Sequence, residues 1–146
     1  MGIGGSALTA KDLSYKLLKL GITALSEQDS HVQIATARTL TEQDVQIVIS
    51  FSGDRKEMLV AADAAKQKGA QVIALTSTRK NKLRAMADLV FDTVADESQH
   101  RSSSIASRTA QNVITDLLFI TLVQQRDESA RKLIDDISPD IRLILK

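Results

Sequence analysis

Val45-Gln46-Ile47-Val48-Ile49, running into Ser50-Phe51-Ser52-Gly53, is the stretch on which the fold of this chain turns. Only Gln46 interrupts the apolar run, so the segment lacks the alternation of a half-solvated strand and fits one covered on both faces. Small polar residues then break it. Met58, Leu59, Ala62 and Ala65 recur on one helical face until Gly69 stops the pattern. Residues 71–75 are a further strand candidate. Strand, helix and strand in that order make a βαβ unit, which implies a parallel sheet.

Working outward, Leu13, Leu17 and Leu20 predict an amphipathic helix over 6–20, with Gly21 in the C′ position. Residues 22–25 read as a short strand, 30–40 as a helix carrying His31 in its first turn, and 41–44 as a polar connection. Downstream, 76–80 read as a polar loop, 81–87 as a short helix and 89–94 as a last strand. A polar loop over 96–104 precedes the longest helix, 105–123. A further helix over 128–137 is expected to stop before Pro139. Ile141-Arg142-Leu143-Ile144-Leu145 then shows an imperfect period-2 alternation. The expected fold is α/β, a three-layer αβα sandwich around a parallel, flavodoxin-like sheet, in one domain over 1–146. A doubly wound domain needs a strand to deliver the chain into Gly2-Ile3-Gly4-Gly5-Ser6, yet only Met1 precedes it, so the first strand reads as truncated.

Composition narrows the function. Hydrophobic residues make up 43% and aromatics 3%, with no Trp, so the core is expected to be Leu, Ile, Val and Ala. Leu117 to Val123 is the most apolar run and reads as helix buried on most sides. With 19 basic against 18 acidic residues the net charge is +1, which provides no diffuse attraction to nucleic acid or an anionic membrane. Zero Cys excludes disulfides and thiolate chemistry, and His31 and His100 lack metal spacing. Neither a metal nor a cofactor is expected. No run is long enough to span a bilayer, and a cytoplasmic location is the expectation.

Three segments could carry chemistry. In Gly2-Ile3-Gly4-Gly5-Ser6 the glycines permit a tight turn, and the helix behind them offers N–H groups to an anion. A flexible end is an equally good account of it, and as a dinucleotide fingerprint the pattern is imperfect, since position 7 is Ala. Ser50-Phe51-Ser52-Gly53 ends a strand and opens a helix, placing two hydroxyls and several N–H groups around one point, a nest suited to a phosphate monoester. Ser52 as a plain helix cap is the alternative. Ser6 stands at the equivalent place of an earlier unit, so two serine-bearing helix starts can converge on one sheet edge. Thr76, Ser77 and Thr78 follow the next strand, either completing the pocket or filling a polar loop. In Glu97-Ser98-Gln99-His100-Arg101-Ser102-Ser103-Ser104, Arg101 can pair with an anion and Glu97 can accept sugar hydroxyl protons, although a solvated loop has the same composition.

Ser50-Phe51-Ser52-Gly53 after a strand, with Gly2-Ile3-Gly4-Gly5-Ser6 upstream, resembles the sugar isomerase (SIS) domain, whose members bind phosphosugars through these two loops. The likeness extends over nearly the whole chain. Gly53-Asp54-Arg55-Lys56-Glu57 is similar to RpiR-type regulators in their C-terminal half. So is Arg101-Ser102-Ser103-Ser104, leading through Arg108-Thr109-Ala110-Gln111-Asn112 to Asp116-Leu117-Leu118-Phe119. Within these the likeness runs to a repressor responsive to N-acetylmuramate 6-phosphate. The resemblance implies phosphate contacts from Ser6, Ser50, Ser52, Gly53 and Arg55, and sugar-side contacts near Gly5, His31, Glu97 and Arg101. The family's enzymes usually place Thr where this chain has Arg55, a position at which a guanidinium could serve. It further implies a helix-turn-helix domain, outside this chain, as the DNA-reading part.

The expected function is therefore that of a regulator's effector domain, which binds a phosphosugar such as an N-acetylated amino sugar 6-phosphate without transforming it. The alternative is a phosphosugar isomerase or amino-sugar-phosphate lyase of the same fold, with Glu97 as base and His31 or His100 opening the ring. A pure oligomerisation module is expected to lose the paired serines, which are present here. A homodimer or larger assembly is expected too, because Val113, Ile114, Leu117, Leu118 and Ile120 leave the longest helix few polar positions.

Overall fold

A computed structural model of the chain describes residues 1–97, 104–126 and 128–144. Three strands, β1 (Val45–Ile49), β2 (Gln71–Ser77) and β3 (Leu89–Thr93), form a parallel sheet in the order β1-β2-β3. Ile47 pairs with Ile73, and Leu75 with Phe91. The chain reaches β2 from β1 through α3 (Lys56–Gln67), and β3 from β2 through α4 (Lys82–Met86). These are the βαβ crossovers that a parallel sheet demands.

Because side chains alternate along a strand, the sheet feeds two cores. Val48, Val72 and Ala74 point to one face, where they meet Met58, Ala61, Ala62 and Ala65 of α3, Leu83 of α4 and Ala37 of α2 (Ser30–Thr39). Ile49 and Leu75 point to the other, with Ile47, Ile73 and Phe91, against Ala10 of α1 (Gly5–Leu18) and Ile114 of α5 (Ile105–Gln125). This is the three-layer sandwich. Burying side chains the size of Met58 or Leu75 stabilises the fold by about 1.5–3 kcal/mol each. The run of alanines lets α3 lie close on the sheet.

Several expectations change. Residues 22–25 do not form a strand: the segment runs beside a groove of about 590 Å³ that separates it from β1, and a strand needs a ladder partner. The outer edge of β1 is instead met by the first two residues, with the Met1 amine donating to the Ile47 carbonyl and a parallel bridge joining Gly2 to Ile49. Strand β2 continues through Thr76 and Ser77, because β3 extends alongside and pairs them with Asp92 and Thr93. Helix α6 (Glu128–Ile144) does not stop before Pro139 but contains it. Leu133, Ile134, Ile137, Ile141 and Ile144 keep helical spacing across the proline, and that period prevails over the one intrahelical bond Pro139 removes.

The largest correction concerns α5. Its buried residues are Ser107, Gln111 and Thr115, whereas Val113, Leu117 and Ile120 are 52%, 59% and 49% exposed. The helix lies on α1, and the bonds between them are polar: Ser6 to Gln111, Thr9 to Asn112 and Lys16 to Asp116. Ile114 packs on the core and Leu118 and Leu122 line the groove beside β1, whereas Val113, Leu117 and Ile120 turn outward, so the helix is not buried on most sides.

Candidate functional site

The site lies at the C-terminal edge of the sheet, where α1, α3 and α5 begin. Gly5 and Ser6 of α1, Ser50, Phe51 and Ser52 after β1, Arg55 and Met58 at the start of α3, and Glu97, Ser104 and Ser107 around the start of α5 line one cavity of about 80 Å³. Six of the sequence-derived site residues, Gly5, Ser6, Ser50, Ser52, Arg55 and Glu97, thus meet at one point. The space admits a phosphate-sized anion.

Helix ends explain the chemistry of the cavity. The first N–H groups of a helix have no partner within it, and an N-cap side chain is the common remedy. Helices α2 and α4, which begin elsewhere, have that remedy: Asp29 accepts from the N–H groups of His31 and Val32, and Asn81 from that of Arg84. The three helices that converge on the cavity do not. Gly4, Arg55 and Ser104 stand at the N-caps of α1, α3 and α5, and none makes a side-chain cap bond. Their positive ends point at shared space.

The loop over 50–55 is held rigidly. Ser50 is buried, its N–H donates to the Leu75 carbonyl, and its Oγ accepts the Gly53 N–H at 3.3 Å. Gly53 has φ +68, and a Cβ there would stand 2.0 Å from Asn81 Oδ1, so only glycine fits. It lies buried behind the cavity instead of lining it. The helix starts at Lys56, three residues later than Gly53, so Ser52 is no cap; it is exposed at the mouth. Thr76 and Ser77 do not line the cavity: the Thr76 hydroxyl and the Ser77 N–H both donate to the Phe51 carbonyl, bracing the loop from behind.

Charge is mixed. Arg55 contributes a cation and Glu97 a carboxylate, which accepts the Ser107 N–H at 2.9 Å and so takes up one of the donors at the α5 start. His31 is exposed in the first turn of α2 and lines neither the cavity nor the groove beside β1. Arg101 and His100 lie outside the described residues. Among the described residues no three His, Cys, Asp or Glu side chains gather as a metal site, and no helix is long and apolar enough to cross a membrane. Ser107 was not singled out by sequence reasoning, and Ser104 and Gln111 entered it only as parts of longer segments. Their spacing of three and four, a polar stripe on an apolar helix, is the signal that marks them.

The SIS domain family matches residues 1–121. The chain belongs to that family. Solved structures similar to this SIS domain include NanR of Vibrio vulnificus complexed with ManNAc-6P. It has a TM-score of 0.88 at 20% identity, over 98% of this chain and 55% of the NanR chain. The sugar isomerase domain of an RpiR transcription factor from Sphaerobacter thermophilus matches with a TM-score of 0.77 at 24% identity, over 94% of this chain and 75% of its own. A phosphoheptose isomerase from Francisella tularensis matches at 0.69 and 22%, over 85% of this chain and 73% of its own. At these identities the likeness is one of fold. This SIS domain spans about half the length of NanR, and the fold occurs in regulators and isomerases alike.

Proposed function

We propose that this SIS domain, residues 1–146, is the effector-sensing part of a bacterial transcriptional regulator. It binds an N-acetylated amino sugar 6-phosphate, such as N-acetylmuramate 6-phosphate, without transforming it. The observation that carries this is the convergence of three helix starts without N-cap side chains on one serine-lined cavity. Ser6, Ser50, Ser52 and Arg55 are the phosphate-binding groups, with Gly53 shaping their loop. Gly5 and Glu97 face the sugar, and His31 and Arg101 are assigned to it on the resemblance alone. NanR with its bound ManNAc-6P and the RpiR-type domain support the regulatory setting. DNA is read by a helix-turn-helix domain outside these residues, and the whole acts in the cytoplasm.

The domain assembles as a homodimer or larger. Leu8, Tyr15 and Leu18 of α1 and Val113, Leu117 and Ile120 of α5 are exposed on the layer those two helices form, and a second subunit would cover them. The isomerase reading draws on Glu97 at the cavity, where its Oε1 accepts the Ser107 N–H. Calorimetry with N-acetylmuramate 6-phosphate, N-acetylmannosamine 6-phosphate and their unphosphorylated parents tests the proposal. Binding of the phosphorylated sugars alone, with no turnover of fructose or glucosamine 6-phosphate, is the expected result. Equal affinity for parent and phosphate sinks it.

A further inference from the structure

Ser6 Oγ lies 3.1 Å from Gln111 Oε1, and Gln111 is wholly buried with its Nε2 lacking a partner among the described residues. The two facts conflict with Ser6 as a phosphate ligand. A serine hydroxyl has one proton. While Ser6 donates it to Gln111, nothing but a lone pair remains for the cavity, and a lone pair repels a phosphate oxygen. The conflict resolves within the same pair of side chains. The terminal torsion of glutamine is broad and nearly two-fold, so turning the carboxamide over exchanges Oε1 and Nε2 in place. Nε2 then donates to Ser6 Oγ, and the hydroxyl proton swings toward the cavity that Ser6 lines. The unpaired end of the buried amide changes from a donor to an acceptor, which is the less unusual of the two in a protein interior.

We infer that Gln111 is a positioning residue, whose carboxamide turns to aim the Ser6 proton at a phosphate oxygen when the cavity fills. This rests on the phosphate reading of the cavity. A neighbouring bond serves as an internal control. Thr9 Oγ1 donates to Asn112 Oδ1 at 2.7 Å, also joining α1 to α5, but neither residue lines the cavity. If Gln111 merely glued the helices, losing either bond would have the same consequence.

Wild type and the variants Ser6→Ala, Ser50→Ala, Gln111→Met, Gln111→Glu, Thr9→Val and Ser6→Ala/Gln111→Met are titrated with inorganic phosphate, followed by amide chemical shifts, with melting temperatures alongside. Ser6→Ala is expected to weaken binding about tenfold, the scale of a hydrogen bond to a charged group. Gln111→Met loses about fivefold in the wild-type background and nothing further in Ser6→Ala. Gln111→Glu, whose carboxylate can only accept, loses at least as much as Ser6→Ala. Thr9→Val lowers the melting temperature and leaves phosphate affinity unchanged. Independent losses from Ser6→Ala and Gln111→Met, or equal affinity losses from Gln111→Met and Thr9→Val, overturn the inference while Ser50→Ala still weakens binding. If Ser50→Ala binds phosphate like wild type, the phosphate reading falls first and this one with it. Should Gln111→Met not fold, the cycle is run with Gln111→Glu, and additivity there overturns it equally.

Discussion

The Glu97 carboxylate accepts the backbone N–H of Ser107 at 2.9 Å, so the start of α5 is held by an acid from the loop before it, not by its own N-cap residue Ser104. One carboxylate thus stands in a cavity whose other polar side chains, among the described residues, are serines and one arginine. Glu97→Gln keeps an acceptor for Ser107 and removes a like charge from the space a phosphate would enter. It is expected to tighten inorganic phosphate about three- to tenfold, as a charge pair near a protein surface allows. Titration at constant ionic strength checks this, and weaker binding would contradict it.

Ser50→Ala and Ser52→Ala are each expected to weaken phosphosugar binding by about 1.5–3 kcal/mol, as for hydrogen bonds to charged groups. They should differ in stability. Ser50 Oγ accepts the Gly53 N–H, so its loss costs about 1 kcal/mol, whereas exposed Ser52 makes no such bond among the described residues. Calorimetry and urea denaturation of both variants separate the two effects.

Gly53→Ala should damage the site through the backbone. Its φ of +68 and the 2.0 Å approach of Asn81 Oδ1 force a side chain to strain the turn or push Asn81 off the N-cap of α4. A loss of about 1–3 kcal/mol in unfolding free energy is expected, with phosphate affinity falling as well. Normal stability would show that the turn relaxes freely.

Asp88 predicts a pH dependence. Its bonds from Lys66 Nζ at 2.6 Å and from the Val72 N–H at 2.8 Å hold its carboxyl below the usual range. A carboxyl lowered in the folded state contributes stability that is complete above its unfolded pKa and lost as pH falls through the folded one. Asp88→Asn should therefore be less stable at neutral pH and flatten the acid limb of the stability profile. Parallel profiles for variant and wild type would count against the assignment.

Leu117→Glu tests the outward face of α5. Leu117 is 59% exposed, so folding stability should change by no more than about 0.5 kcal/mol, while light scattering should report a smaller particle than wild type. An unchanged mass would place the assembly contact elsewhere.

Most of the architecture could be read from local pattern. Val45–Ile49 and the Met58, Leu59, Ala62, Ala65 stripe announced a βαβ unit, and Ser6, Ser50 and Ser52 announced helix starts that could share an anion. Strand period, helix period and chain punctuation are properties of neighbouring residues, so one sequence suffices to see them. Residues 22–25 and Pro139 misled for a related reason: a strand exists only if another strand accepts its hydrogen bonds, and a proline ends a helix only where the apolar period does not continue.

What periodicity cannot tell is which side of an element is covered. The apolar side of α5 invited burial, yet the helix turned Ser107, Gln111 and Thr115 inward. Their interior is made by α1, whose Ser6 and Thr9 meet Gln111 and Asn112 from more than 100 positions away in sequence. The sequence by itself determined the elements, their order and the serines at the sheet edge. Only tertiary packing decided that Glu97 holds the start of α5, that His31 stands apart, and that a buried amide lies behind Ser6. Those relations depend on distances between segments, which local residue preferences do not encode.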